Sequence, residues 1–237
     1  MTDYFEWNGV KSTDYGIHVS EHPAVTLPSE RVTFTDIPGR SGSLTTTEGD
    51  DVYSDMTLSA TCWVENLDNL TAITKWLKGA GTVTFGNRLG GYYEARIINQ
   101  IAFDRILRGK ANRKFAVDFR CRPFFYLNDS PVQTITTSGT VLTNPGSVFS
   151  EPMLTVYGSG DITLMVGQTI ITLQSVSGHV TLSTPAQEAY RTETNGTLTS
   201  LNNTMVGDFP ILATGETAIS WSGSVTSVVV QPNWRTL

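Results

Sequence analysis

The chain is short of the residues from which chemistry is usually built. Its 237 residues hold two cysteines and three histidines, and its 16 Lys and Arg are outnumbered by 22 acids, for a net charge of -6. The overall acidic balance argues against nucleic-acid binding as a primary task, so specific nucleic-acid binding is not expected. No apolar run approaches the roughly 20 residues that span a bilayer, so membrane insertion is not expected either. The opening residues, Met1-Thr2-Asp3-Tyr4-Phe5-Glu6, have neither a basic start nor an apolar stretch, and a secretory signal is therefore not expected. In a chain that stays in a reducing cytosol, Cys62 and Cys121 remain thiols. The Asn-X-Ser/Thr sequons at Asn69, Asn128, Asn195 and Asn202 then carry no weight.

The search for a catalytic or metal-binding constellation ends in the same place. His18 and His22 are four apart, a spacing that suits a metal on a helix, but Val19 and Pro23 mark extended chain and no cysteine accompanies them at ligand spacing. These histidines and His179 are expected to be hydrogen-bonded or exposed. Gly39-Arg40-Ser41-Gly42 lacks the spacing of a nucleophile elbow, and no phosphate-cradling glycine motif occurs. Asp50-Asp51 is an acid pair in a loop, and adjacency in sequence does not set the separation across a sugar that hydrolysis needs. No catalytic residue, metal or cofactor is expected, and the chain reads as a non-enzyme.

What the chain does have is strand-forming material. Hydrophobic residues make up 39% and charged residues 16%, enough for a core under a modestly charged surface. Residues 56–65 alternate between apolar and polar, placing Cys62 with Met56, Leu58, Ala60 and Val64 on one face. Lys114 to Arg122 alternates most cleanly: Phe115, Val117, Phe119 and Cys121 point one way, and Lys114, Ala116, Asp118, Arg120 and Arg122 the other. Strands are expected also at Thr82–Phe85 and Tyr92–Phe103, with Pro123 closing the Lys114–Arg122 pattern. One helix is expected between them. Asn66 or Asp68 can cap it, Leu67, Leu70, Ile73 and Leu77 form its stripe, Lys75 and Lys78 suit its C-terminal end, and Gly79 stops it. Trp76 and Leu77 should dock it on a sheet. Between residues 37 and 51, Ile37-Pro38-Gly39-Arg40-Ser41-Gly42 and Glu48-Gly49-Asp50-Asp51 are too rich in turn residues to pack and read as a long exposed loop or arm, with a floppy hairpin tip as the plainer alternative.

Past Leu127 the composition changes: among Lys and Arg only Arg191 and Arg235 remain. Short Thr/Val/Ile-rich runs broken by Asn144-Pro145-Gly146, Gly158-Ser159-Gly160-Asp161, Gly178 and Asn195-Gly196 suggest a sandwich of many short strands. The fold class is accordingly mainly β in two domains, 1–127 and 128–237. The apolar run Val225–Val230 should be paired inside a sheet, because at an open edge it would invite aggregation. Charge is also divided along the chain. Residues 88–122 carry nine Lys or Arg against three acids, a local net of +6, whereas residues 1–87 carry five against twelve, a net of -7. Two readings stay open: neutralisation between strands of one chain, or contact between one subunit's acidic surface and the next subunit's basic one.

Several short motifs, in order, resemble those of the distal tail proteins of long-tailed bacteriophages. They are Phe5-Glu6-Trp7-Asn8-Gly9, Ser12-Thr13-Asp14-Tyr15-Gly16-Ile17, the Ile37–Gly42 loop, Trp76-Leu77-Lys78-Gly79, Tyr92-Tyr93 with Ala95, Asn144-Pro145-Gly146, Glu151-Pro152, Gly158 with Gly160, Gly207-Asp208-Phe209-Pro210 and Trp234-Arg235. The resemblance implies an N-terminal β-sandwich-like domain with one helix and a C-terminal galectin-like β-sandwich. It further implies a homo-hexameric ring at the tail tip of the virion, joining the tail-tube protein to a tail-tip or tail-associated protein and to a receptor-binding protein, with synthesis in the host cytoplasm. The expected subunit interface is Ile37, Gly39, Arg40, Gly42, Glu48, Asp50 and Asp51 of the arm, facing Arg120 and Arg122. The rival readings are a tail-tube subunit and a carbohydrate-binding module, for which Trp221 is the candidate glycan contact, although sharing a strand face with Ile219 argues that it is core.

Overall fold

In the computed structural model, the described residues are 2–49, 51–65, 68–103 and 113–237, with Arg113 described by its backbone. The expectations placed on Asp50, Asn66 and Leu67, and the part of the basic 88–122 segment that lies at residues 104–112, fall outside them. The chain divides into two compact units, Met1–Asn128 (which also takes in Leu237) and Asp129–Thr236. Both are built from strands.

The first unit contains β1 (Phe5–Trp7), β2 (Val10–Lys11), β3 (Ile17–Glu21), β4 (Val32–Thr35), β5 (Leu44–Thr47), β6 (Met56–Val64), α1 (Leu70–Trp76), β7 (Ala80–Phe85), β8 (Arg88–Ile97) and β9 (Arg113–Leu127). Its main sheet runs β2-β1-β7-β8-β9-β6-β3, with β4 and β5 as a separate ribbon. β6 is buried and wet by turns along its length, as the alternation requires, and on β9 Phe115, Val117, Phe119 and Cys121 all enter the core. Phe119 is the aromatic hub: its ring lies 5.3 Å from Phe5, 5.5 Å from Trp7 and 5.6 Å from Phe85, in tilted and edge-on geometries that suit ring quadrupoles.

The helix is shorter than its stripe suggested. α1 has seven residues, and its N-cap, Asn69, makes no side-chain cap bond. Leu77 has already left helical geometry, and Gly79 (φ +82°) takes the left-handed turn that ends the segment. So brief a helix holds through packing. Ile73 and Leu77 are buried, and Trp76 stacks on Phe5 (5.7 Å) and Tyr15 (4.6 Å) while its indole N–H donates to the Trp7 carbonyl at 3.3 Å.

Two strand limits differ from expectation. β8 ends at Ile97, not at Phe103. β9 runs through Pro123 to Leu127, because the proline costs no ladder bond where it sits. The β6 pairing ends at Met56 opposite Cys121, and on the other side the β8–β9 register slips between Tyr93 opposite Phe125 and Ala95 opposite Cys121. Pro123 thus occupies a bulge past the end of one neighbour, where a missing N–H is tolerated.

The second unit contains β10 (Gln133–Ile135), β11 (Thr140–Asn144), β12 (Met153–Val166), β13 (Thr169–Ser183), β14 (Glu188–Thr192), β15 (Leu198–Ser200), β16 (Met205–Val206), β17 (Gly215–Gln231) and β18 (Arg235–Thr236). Instead of many short strands, its frame is three long ones: β12, β13 and β17 have 14, 15 and 17 residues. Gly158, Gly160 and Gly178, which looked like turns, lie inside them, whereas Asn144-Pro145-Gly146 and Asn195-Gly196 do end or separate strands. A Cβ on Gly158 would come 2.3 Å from the Ser224 carbonyl and one on Gly223 2.5 Å from the Asp161 carbonyl, so these positions permit strand-on-strand approach at the bulges where β12 shifts register. Such bulges let a long sheet bend over its own core, and the mainly β, two-layered architecture is the one expected. Val228 and Val230 are buried in β17 between β10 and β12, so the apolar C-terminal run is paired.

Two outcomes are expected. Phe119→Ala should lower stability by about 3–5 kcal/mol in denaturant titrations, the range for emptying a buried aromatic site. Cys62 and Cys121 are free and buried, and burial pushes both thiols up to about 12. A thiol reagent should therefore label neither in the native chain and both after unfolding.

Candidate subunit interface

Between Pro23 and Met56 the chain leaves the main sheet of the first unit as an arm. Its free part is an antiparallel ribbon, not an irregular loop: Val32 pairs with Thr47, Thr33 with Thr46, Phe34 with Thr45 and Thr35 with Leu44. β-branched Thr45-Thr46-Thr47 supplies the strand propensity. The tip is the Ile37–Ser43 stretch. The Arg40 N–H donates to the Ile37 carbonyl at 3.1 Å, Gly39 and Gly42 take φ of +82° and +79°, and the Ser43 hydroxyl donates to Asp36 at 2.7 Å. At the root, Glu30 bridges to Tyr53, the Arg31 N–H donates to the Val52 carbonyl at 2.9 Å, and the Tyr53 ring meets Phe124 of β9 edge-on at 6.1 Å. Burial, with the charge of Asp51 and a hydrogen bond to its carboxylate, raises the Tyr53 pKa.

The arm exposes its large apolar side chains. Val25, Leu27 and Phe34 are 63%, 72% and 65% accessible, and Ile37 and Leu44 are open as well. A lone two-stranded ribbon is marginal in water and gains its stability by covering an apolar face. Apolar side chains gathered on an exposed arm make it a candidate interaction surface.

Arg120 and Arg122 stand on the wet face of β9 but are already engaged. Arg120 Nε donates to Asp55 Oδ2 at 2.8 Å and an Arg122 guanidinium nitrogen to Glu94 at 2.7 Å, while Glu48 of the arm pairs with Arg31 at 2.8 Å. Within one chain, then, neutralisation between neighbouring elements accounts for these charges, and the structure does not bring Glu48 or Asp51 to Arg120 or Arg122. The two arginines wall an open groove of about 700 Å³ with Asp55, Thr82, Glu94 and Arg96. Arg96 faces Arg120 directly across β8 and β9 and has no ion-pair partner among the described residues. Like charges so placed repel. The floor is kept low by Gly81, whose Cβ would lie 1.8 Å from Asn8 Oδ1, the acceptor for the Thr82 N–H.

Trp221 is half-buried. Its backbone is held on both sides by Ser138, whose Oγ accepts from the Trp221 N–H at 2.9 Å and donates to its carbonyl at 3.2 Å, and Ile219 two residues earlier is fully buried. The face it shares is core, as the alternation indicated, and its ring sits at the margin. Two of the three histidines are hydrogen-bonded in place, His18 to Asp3 and Glu65, and His22 Nε2 to the Thr2 carbonyl at 2.6 Å; the His179 ring lies against Tyr157 at 5.4 Å. No His/Cys/Asp/Glu group able to hold a metal occurs among the described residues, and no helix there is long and apolar enough to cross a membrane.

Leu27, Phe34, Arg31, Tyr53 and Arg96 were missing from the residues marked by sequence. Leu27 and Phe34 had a visible signal, being large apolar residues inside a polar stretch. The partners of Arg120 and Arg122 had none, since Asp55 lies 65 positions from Arg120.

No protein-family model matches the chain, and no curated protein matches it in sequence. Its fold, however, is similar to that of a solved phage protein. The crystal structure of SPP1 Dit, described as a paradigm of the hub adsorption apparatus in phages infecting Gram-positive bacteria, superposes with a TM-score of 0.72 at 15% identity, covering 96% of this chain and 98% of that one. The likeness in fold agrees with the resemblance of the sequence motifs to distal tail proteins.

Because the Asp55–Arg120 pair is solvent-exposed, a double-mutant cycle on Asp55→Ala and Arg120→Ala should return a coupling of only about 0.2–1 kcal/mol, shrinking as salt rises.

Proposed function

We propose that the protein is a non-enzymatic adaptor of a phage tail tip, in which six copies close into a ring that joins the tail tube to the host-binding tip. The observation that carries this reading is the arm. It presents Val25, Leu27, Phe34, Ile37 and Leu44 to solvent on a ribbon too slight to hold them unaided. A neighbouring copy covers that surface, and contacts repeated head to tail close when the rotation permits. The fold likeness to a hub protein of the adsorption apparatus supports the same reading.

On this reading the first unit forms the ring wall and the second, a galectin-like sandwich, faces outward toward tip and receptor-binding partners. The galectin likeness is one of fold and does not imply sugar binding. The net charge of -6 suits a channel through which a polyanion passes without adhering. Trp221 follows the fully buried Ile219 along β17 and is itself half-buried, which favours a packing role over the glycan-binding rival.

Light scattering of the full chain across a range of concentrations, alone and with tube and tip proteins, tests the proposal. Assembly to a defined multimer is expected. The paired substitution Leu27→Ser with Phe34→Ser should abolish it while leaving the circular dichroism of the chain unchanged, because both side chains lie outside the core. A chain that stays monomeric with every partner, or a variant that assembles as well as the parent, contradicts the reading.

A further inference from the structure

The N-terminal residues run along the outer edge of β3, the last strand of the first unit's sheet. The Val19 N–H donates to the Asp3 carbonyl at 2.6 Å, the Gly86 N–H donates to the Tyr4 carbonyl at 3.1 Å, and the Thr2 hydroxyl donates to the Gly86 carbonyl at 3.0 Å. Residues 2–4 therefore bridge the β7–β8 turn and β3, and they continue directly into β1. They form the seam that links the two ends of the sheet and covers an edge that would otherwise present unpaired backbone groups.

His18 sits on that seam. Its Nδ1 lies 2.7 Å from Asp3 Oδ2 and its Nε2 lies 3.0 Å from Glu65 Oε1, while its ring stacks on Trp63 of β6 at 4.5 Å and 15°. A neutral imidazole has one N–H and one lone pair, so it can donate to only one of these carboxylates and must present a lone pair to the other. Only the imidazolium donates to both. The arrangement is thus built for the charged ring.

We propose that His18 is a proton-controlled clasp: charged, it ties Asp3 and with it the N-terminal segment to the edge of β3 and to Glu65 at the end of β6; neutral, it releases the seam. The groups that face it are Asp3 on the N-terminal segment, Glu65 after β6 and the Trp63 ring, with His22 adding positive charge near Asp3.

Burial opposes the charge on His18, but the hydrogen bonds to Asp3 and Glu65 and their negative charges outweigh it, and the His18 pKa is raised above 6.5. The hydrogen bond from His18 is also the main cause that holds the Asp3 carboxyl below 3.8, in this case against desolvation. The raised His18 contributes stability that is fully present below its unfolded pKa and is lost as pH rises through its folded one. The lowered Asp3 contributes stability present above its unfolded pKa and lost as pH falls through its folded one. The seam is firm between those limits and loosens on the alkaline side as His18 discharges.

Nuclear magnetic resonance of the full chain tests this. The His18 ring should titrate with a midpoint above that of an unperturbed histidine, and Asp3→Asn should lower that midpoint. Exchange at the Val19 amide, corrected for the intrinsic effect of pH, should rise by roughly threefold to tenfold as His18 loses its proton, a range suited to partly exposed charge-assisted bonds. In His18→Gln the rise should disappear. A His18 midpoint at or below the unperturbed value, or a Val19 amide whose corrected exchange is the same on both sides of the titration, overturns the clasp. Because both primary readouts come from the unmodified protein, misfolding of a variant cannot decide the outcome.

Discussion

Phe119 lies against Phe5, Trp7 and Phe85, and everything the first unit presents to the outside depends on that cluster. It fixes β1 beneath β9, and Trp76, stacked on Phe5, brings α1 down onto the same site. The outward face of β9 is set by the same alternation that buries Phe119, so Arg120 and Arg122 are on the wet side because Phe119 and Cys121 are on the dry one. A one-residue slip in register would invert both faces at once. The arm is subject to the same constraint at its root, where Tyr53 rests on Phe124 of β9.

The arm itself obeys a different balance. Inside the unit, apolar area is covered by the chain's own strands; along the ribbon it is not, and the hydrogen bonds between β4 and β5 do not offset that exposure in water. The charges do not resolve the matter electrostatically either. Arg31 with Glu48, Arg120 with Asp55 and Arg122 with Glu94 are satisfied at home, and each exposed pair is worth little. On the proposed reading, shape and apolar burial, more than charge, are what this arm would offer a neighbour.

Sequence periodicity located β6 and β9 correctly because a buried sheet face imposes a strict two-residue repeat. It failed at Pro123 and at Gly158-Ser159-Gly160, where the residues that usually end strands sit at bulges inside them; their meaning depends on where a neighbouring strand stops or shifts, which is not local information. The ribbon β4–β5 was legible only as a floppy hairpin tip, for a related reason. Its turn-rich tip dominates the stretch, although Leu44-Thr45-Thr46-Thr47 carries a β-branched run. At the candidate interface the arm was legible as exposed, since its glycines and Pro38 cannot pack. Of its apolar side chains Ile37 was marked, and Leu27 and Phe34 carried a signal that went unused, whereas the ion partners of Arg120 and Arg122 were not legible, because they are joined by sheet pairing across long stretches of chain.

Electron microscopy of the assembled full-length protein tests the central claim most directly. The account predicts closed rings with an open centre, in which each Val32–Thr47 ribbon lies on the adjacent subunit. Monomers alone, open filaments, or rings in which every ribbon folds back on its own subunit would contradict it.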